Sequence, residues 1–356
     1  MKVVYFGSSG FSMPPLKALY EAGESIGLVV TQPDKVRGRG RKVLPTPVKA
    51  YAEEHGLPVI QPERIRGDED VTAAIRDANP DIAVVASYGK ILPKEILEMP
   101  KLGCFNLHAS LLPKLRGAAP VPWAVDAGEK VTGVTLMYMG EGLDDGDIAA
   151  AVETPIDESE DTGTLLGRLA DMAARLLIDK LPEIADGSLP RSAQDGRFAT
   201  YARMLTKEDG HLDFKQDAAA VVRRFRAMTP SPGAYVVQGE NRIKILKAMV
   251  PDAICGGSTA SSSDIGSSAL PSPPREPAPA GQNESYVASV SADPGRHPTK
   301  LPPAPGAIIS VSARGIEVQA GSGTVLITEI GWPGKKPMPV SEFIKGNRID
   351  GDTPFS

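Results

Sequence analysis

Over the first half of the chain, short runs of Val and Ile alternate with longer stretches in which apolar residues recur every three or four positions. Val3–Phe6, Ile26–Thr31 and Ile82–Ala86 have the length and β-branched content of strands, whereas Pro14–Ala22, Val48–Glu54 and Ile91–Leu97 have the helical period. Strands and helices in alternation predict an α/β, Rossmann-like domain over residues 1–190, with a mainly parallel sheet covered by helices. Ligands of such sheets lie beyond the carboxyl ends of the strands. Three segments fall there: Gly7-Ser8-Ser9-Gly10-Phe11, Ser87-Tyr88-Gly89, and the strand end Phe105–His108. The first lacks the Gly-x-Gly-x-x-Gly spacing of a dinucleotide-binding turn and reads as a tight turn near the site. Val131–Met139 adds a strand, and Asp161–Ala185 a long helix with Thr162 as its candidate cap, closing the domain.

From about Tyr201 the pattern changes. Asp217–Met228 reads as a helix carrying Arg223, Arg224 and Arg226. Short alternating segments follow at Tyr235–Val237, Ile243–Ala248, Ala307–Val311, Gly315–Gln319 and Val325–Ile330, with turn signals between them, which predicts a small β-barrel. Residues 251–305 interrupt it with Ser, Pro, Gly and Ala and almost no apolar pattern, too little to offset the entropy of ordering, so a disordered insertion is expected. The expected organisation is a catalytic domain at 1–190, a linker at 191–206 and a second domain at 207–345.

With 356 residues and 41% hydrophobic content, the chain has the material for two cores. The net charge of −5 excludes a generally basic nucleic-acid binder, but it gives any local positive cluster more meaning. One such cluster follows the second strand: Lys35, Arg37, Arg39, Arg41 and Lys42, with Gly38 and Gly40 between them. It shows no apolar period and reads as a flexible cationic loop, either a solvated surface feature or a phosphate-binding arm. No run approaches a membrane span, and Met1-Lys2 passes directly into a strand instead of a signal peptide, so a cytoplasmic protein is expected. Cys104 and Cys255 are far apart and without metal-ligand spacing, which points to free thiols and to no structural metal.

The candidate chemistry centres on Gly103–Pro120. Phe105 and Leu107 alternate with Asn106 and His108, and the Pro, Gly and small residues that follow must form a loop. A carboxamide and an imidazole therefore share one face of a strand end, an arrangement suited to holding an oxyanion while a proton moves. A lone Asn-x-His is more often a buried pair satisfied by backbone, and the longer context decides. The run Asn106-x-His108-x-Ser110-Leu111-Leu112-Pro113-x-x-Arg116-Gly117-x-x-Pro120 closely resembles the signature of the formyltransferases that use 10-formyltetrahydrofolate. Leu143-Asp144-Asp145-Gly146-Asp147 resembles their second signature; it lacks the twelve-residue spacing of a calcium loop.

The resemblance implies a catalytic trio of Asn106, His108 and Asp144, the carboxylate orienting the imidazole, and a folate pocket that includes Tyr88, Gly89, Ser110, Leu111, Leu112 and Pro113. Arg226–Ala234 and Gly334–Val340 resemble the carboxy-terminal, OB-like domain of methionyl-tRNA formyltransferases. That implies formyl transfer from 10-formyltetrahydrofolate to the amino group of methionyl initiator tRNA, by a monomer that needs no metal. Lys35, Arg37, Arg39, Arg41 and Lys42 would then contact the tRNA. Ser87, Ala109 and the absence of a tryptophan in His211–Phe214 depart from the usual pattern without touching the trio. Formyltransferases of small amines share the trio, and only the cationic cluster and the extra domain separate them. A non-catalytic RNA-binding protein built on a retired transferase is disfavoured by the intact trio.

Overall fold

In the computed structural model, residues 1–37, 42–251 and 303–356 are described. Strands β1 (Lys2–Gly7) and β2 (Ser25–Val30) start the first sheet, and β3 (Lys35–Arg37) and β4 (Lys42–Leu44) form a separate hairpin. The sheet continues with β5 (Val59–Ile60), β6 (Ile82–Ala86) and β7 (Gly103–His108); a short β8 (Arg116–Gly117) precedes β9 (Val131–Tyr138) and β10 (Ile148–Pro155). Its order is β10-β9-β7-β6-β1-β2-β5. The five strands from β5 to β7 are parallel, and β9 runs antiparallel to both β7 and β10.

Both faces of this sheet are covered, which is why its central strands are continuously apolar. Val3 and Tyr5 of β1 enter one core with Val84, Phe105 and Leu107, and Val4 and Phe6 enter the other with Val85 and Cys104. The first core is closed by α1 (Met13–Glu21), α2 (Pro47–Glu54), and two helices that follow later, α5 (Pro120–Ala127) and α6 (Thr162–Ala185); the second is closed by α3 (Glu69–Asp77) and α4 (Lys94–Leu97). Two expectations are corrected here. Ile91–Leu97 is helical only from Lys94, because Pro93 disfavours helical backbone at Leu92 and serves as the N-cap instead. The cap of α6 is Asp161, whose carboxylate accepts from Thr164 N, and not Thr162.

The linker strand β11 (Tyr201–Ala202) pairs in parallel with β8. Helix α7 (Ala218–Ala227) then leads to a second, wholly antiparallel sheet. Its strands are β12 (Tyr235–Gln238), β13 (Asn241–Met249), β14 (Ile308–Ser312), β15 (Gly315–Gln319) and β16 (Thr324–Gly331), ordered β12-β13-β16-β15-β14, with β17 (Met338–Pro339) on β16 and α8 (Val340–Phe343) after it. The curled sheet is OB-like. Its two edges are laced together by the chain end: Val237 exchanges hydrogen bonds with Ser356 at 2.7 and 2.9 Å, and Phe355 N donates to Gly306 O just before β14 at 2.8 Å. Phe355 and Ser356 are thus bonded to this sheet, past the expected domain limit at 345.

Two sequence expectations meet the edges of the described chain. The cationic loop is flanked by paired strands, with Lys35 opposite Leu44 and Arg37 opposite Lys42, so its two ends are ordered as a hairpin; Arg39 and Arg41 lie outside the described residues. Residues 252–302 of the expected insertion, with Cys255, also lie outside them. At the far edge of the expected insertion residues 303–305 are described, and Ala304 O accepts from Ala307 N at 3.0 Å.

The two sheets share one core. Buried residues run continuously from Val3 through Leu165 and Leu177 to Phe225, Ile243 and Ile330. At the seam Thr162 Oγ1 donates to Ala227 O at 2.8 Å, and Arg226 donates to Glu160 O and Asp157 O at 2.6 and 2.7 Å. Arg224 pairs with Asp126 at 3.0 Å, and the Arg223 stem packs against Gly128, where α5 ends. Two of the three arginines of α7 therefore bind the domains through polar contacts and the third through packing.

Candidate active site

The period of two along β7 sets the site. Phe105 and Leu107 point into the larger core, leaving Cys104, Asn106 and His108 on the opposite face, with Asn106 8% and His108 6% exposed. Across the ladder Asn106 lies opposite Met137 and His108 opposite Thr135. Burial pushes the Cys104 thiol up to about 12, and its sulfur lies against Met139, so it is an inert neighbour and not a nucleophile.

Beyond His108 the chain turns back on itself. Thr135 Oγ1 donates to Ser110 O at 2.7 Å and accepts from Leu112 N at 3.2 Å, while Ser110 Oγ donates to Lys114 O at 2.7 Å. This turn places Leu115 O 2.9 Å from His108 Nε2. A carbonyl only accepts, so Nε2 carries the hydrogen and Nδ1 is the nitrogen free to work. Nδ1 lies 3.7 Å from Asp144 Oδ2. The same oxygen accepts from Gly117 N at 2.8 Å, and Oδ1 accepts from Asn106 Nδ2 at 3.3 Å. The structure thus brings together all three members of the expected trio, from β7 and from the loop after β9.

Asp144 reaches this position through backbone that ordinary residues avoid. Its φ is +49°, and the loop closes so tightly that a Cβ on Gly146 would lie 1.9 Å from Tyr138 O. At the neighbouring strand ends, Ser12 Oγ accepts from Ser8 N and Ser9 N and donates to Ala86 O, and Gln32 Nε2 donates to Tyr88 O. The turn at Gly7–Gly10 is therefore a brace between β1 and β6, in keeping with the reading of its sequence.

A pocket opens beside Asp144, lined by Lys90, Ile91, Leu92, Met137, Met139 and Leu143, with Gly140 and Gly142 in its rim. None of Tyr88, Gly89 and Ser110–Pro113 lines it. The Tyr88 ring packs on Phe6 in the smaller core, on the same side of the sheet as Cys104, where burial pushes its hydroxyl up to about 12. Ser110 and Leu112 are buried in the turn just described. The pocket has no signature in the sequence, because Ile91 and Leu92 fall within the apolar period that predicts a helix over Ile91–Leu97. The Lys90 ammonium donates to Pro62 O and Glu63 O at 2.7 and 2.6 Å, which anchors this edge to the chain after β5.

The formyl transferase family pattern matches residues 1–181, and that of the formyl transferase C-terminal domain matches residues 204–348. The methionyl-tRNA formyltransferase of Citrifermentans bemidjiense is 39% identical, over 98% of this chain and 94% of that one. That of Caldanaerobacter subterraneus subsp. tengcongensis is 45% identical over 70% of this chain and 81% of that one. Among solved structures, HypX from Aquifex aeolicus in complex with tetrahydrofolic acid superposes with a TM-score of 0.56 at 15% identity, over 97% of this chain and 47% of that one. A sugar 3N-formyl transferase, WlaRD, gives 0.55 at 17% identity, over 72% and 88%. These two likenesses are of fold.

Proposed function

The chain belongs to the methionyl-tRNA formyltransferase family, and on that footing we propose that Asn106, His108 and Asp144 carry its reaction. That reaction moves a formyl group from 10-formyltetrahydrofolate to the amino group of methionyl-tRNA. Attack of the amine on the formyl carbonyl gives a tetrahedral species with negative charge on oxygen; the bond to the folate nitrogen then breaks as that nitrogen takes up the proton the amine has lost. Asn106 keeps one N–H for Asp144 and has a second free for that oxygen. His108 in its protonated form supplies a further donor from Nδ1, and Asp144 takes up the proton that the amine loses, directly or through water. No covalent bond to the enzyme is required.

The pocket beside Asp144, about 80 Å³ and too small for the whole ring, is proposed to take one edge of the pterin. Ile91, Leu92, Met139 and Leu143 offer apolar contact to a flat ring, and the glycines of the rim let backbone approach it. Ser110–Pro113 then act by shaping the turn that presents Leu115 O to His108, and Tyr88 and Gly89 by their backbone. The tRNA is proposed to meet Lys35, Arg37, Arg39, Arg41 and Lys42 on one side and the OB-like domain on the other. One chain carries both surfaces, so the proposal takes a monomer acting in the cytoplasm.

The observation that carries the assignment is the single carboxylate of Asp144 shared by the side chains of Asn106 and His108. His108→Ala and Asn106→Ala are each expected to lower kcat by about two to three orders of magnitude, the scale of losing an oxyanion donor. Folate affinity, read by equilibrium binding, should stay near the wild-type value. Rates within a few-fold of wild type would remove both residues from the mechanism.

A further inference from the structure

Fifty residues after Asp144, the linker returns to the reaction centre. Gln194 Nε2 donates to Asp144 O at 2.9 Å and to Gly146 O at 2.7 Å, and its Oε1 accepts from Arg116 Nε and Nη2 at 3.1 and 2.8 Å. Arg116 is 8% exposed, and no carboxylate of the described residues pairs with it. The amide orientation is therefore fixed: turned over, it would set its N–H groups against a guanidinium and its oxygen against two carbonyls.

From these contacts we propose that Gln194 is the positioning residue that sets the Asp144 carboxylate, a role that rests on the catalytic reading of Asp144. Asp144 sits outside regular structure at a φ of +49°. Aspartate enters this region more readily than most residues, but it is still a minority conformation, so the surrounding contacts have to select it. Gln194 clamps the peptide on both sides of Asp145, and through Arg116 it ties that loop to β8, whose Gly117 N holds the carboxylate itself. The same linker pins β8 and the turn before it: Leu115 N donates to Thr200 Oγ1 at 2.8 Å and Arg116 N to Thr200 O at 2.8 Å. Leu115 O is the acceptor for His108. The centre is thus completed by the segment that joins the two domains.

Kinetics of five variants in the full chain test this. Gln194→Ala is expected to lower kcat by roughly 10²-fold, the scale of a displacement of about 1 Å at a reacting group, with KM for folate and for tRNA within a few-fold of wild type. Gln194→Met, of similar length, should behave alike and covers a hole left by Ala. Gln194→Glu keeps a partner for Arg116 yet turns acceptors toward two carbonyls, so it should be as slow as Gln194→Ala near pH 7.5. Its rate relative to wild type should climb as the pH is lowered, when protonation restores a donor, whereas the relative rate of Gln194→Ala stays flat. Asp195→Ala, which removes only the neighbouring exposed cap on Arg197, should leave kcat unchanged. A Gln194→Glu enzyme as fast as wild type, or Gln194→Ala and Gln194→Met at wild-type kcat, would overturn the proposal. Asp144→Asn separates the two layers: if it is inactive while the Gln194 variants are normal, the positioning role fails, and if it is itself active, the reading of the centre fails.

Discussion

Charge at single residues matters most where the linker passes under the catalytic domain. Asp209 accepts from Arg203 Nη1 and Nη2 and from Thr206 N and Oγ1, while the Arg203 guanidinium lies 4.7 Å over the Trp123 ring. The Arg203 hydrogen bonds hold the Asp209 carboxyl well below the usual carboxylate range. Because the folded value is depressed, this contact stabilises the protein above the unfolded value of 3.8 and stops doing so as the pH falls through the folded value. Urea unfolding of wild type and Asp209→Asn should therefore give a stability difference that is constant above about pH 5 and shrinks below about pH 4. A difference that did not vary with pH would show that the carboxylate charge contributes nothing. The trio itself is unequally legible at this scale. Asn106 and His108 follow from alternation along one strand, whereas Asp144 rests on a resemblance, since no periodicity marks a residue held in a left-handed conformation. Gln194 is invisible in the sequence, because an interaction across fifty residues leaves no local pattern.

Among elements, strands long enough to show a β-branched run and helices with an apolar period are readable, whereas a helix buried on all sides and very short strands are not. Helix α6 and the strands β1, β6 and β7 lie close to the spans expected from their periods. Helix α5, Pro-Val-Pro-Trp-Ala-Val-Asp-Ala, has no amphipathic period because Pro120, Val121, Pro122, Ala124 and Val125 are all buried. Strand β5 is only two residues long, too short to register. The hairpin β3–β4 is hidden by its charge: five basic residues suggest an unstructured loop, although pairing of Lys35–Arg37 with Lys42–Leu44 needs only backbone. That pairing makes Lys35–Arg37 and Lys42–Leu44, the described ends of the basic cluster, the two strands of a short arm. Neutralising Arg37, Arg39 and Arg41 together should weaken tRNA binding and reduce the slope of log affinity against log salt by about 0.7 to 0.9 for each phosphate that is no longer neutralised. Folate binding and thermal stability should stay near wild type, since an exposed arm adds little to the core. Unchanged tRNA kinetics at physiological salt would make the arm a solvated feature and leave tRNA binding to the second domain.

At the scale of the molecule, the two domains form one packed body, and the proposed reaction centre lies close to where the linker joins them. The alternation of strands and helices followed by short strands is enough to expect a parallel sheet and a small barrel. Their docking is not legible, because it depends on which side chains of α7 meet α5 and the start of α6. In the folded protein Arg224 and Arg226 are engaged by Asp126, Glu160 and Asp157, which leaves the β3–β4 arm as the stronger candidate for binding tRNA. No helix among the described residues is long and apolar enough to cross a membrane. The most direct test of the account is the initial rate of formyl transfer from 10-formyltetrahydrofolate to three acceptors offered separately: methionyl initiator tRNA, methionyl elongator tRNA and glycinamide ribonucleotide. The account predicts a kcat/KM for the initiator tRNA well above that for the elongator, and no turnover of the small amine. Formylation of glycinamide ribonucleotide at a comparable kcat/KM would contradict it.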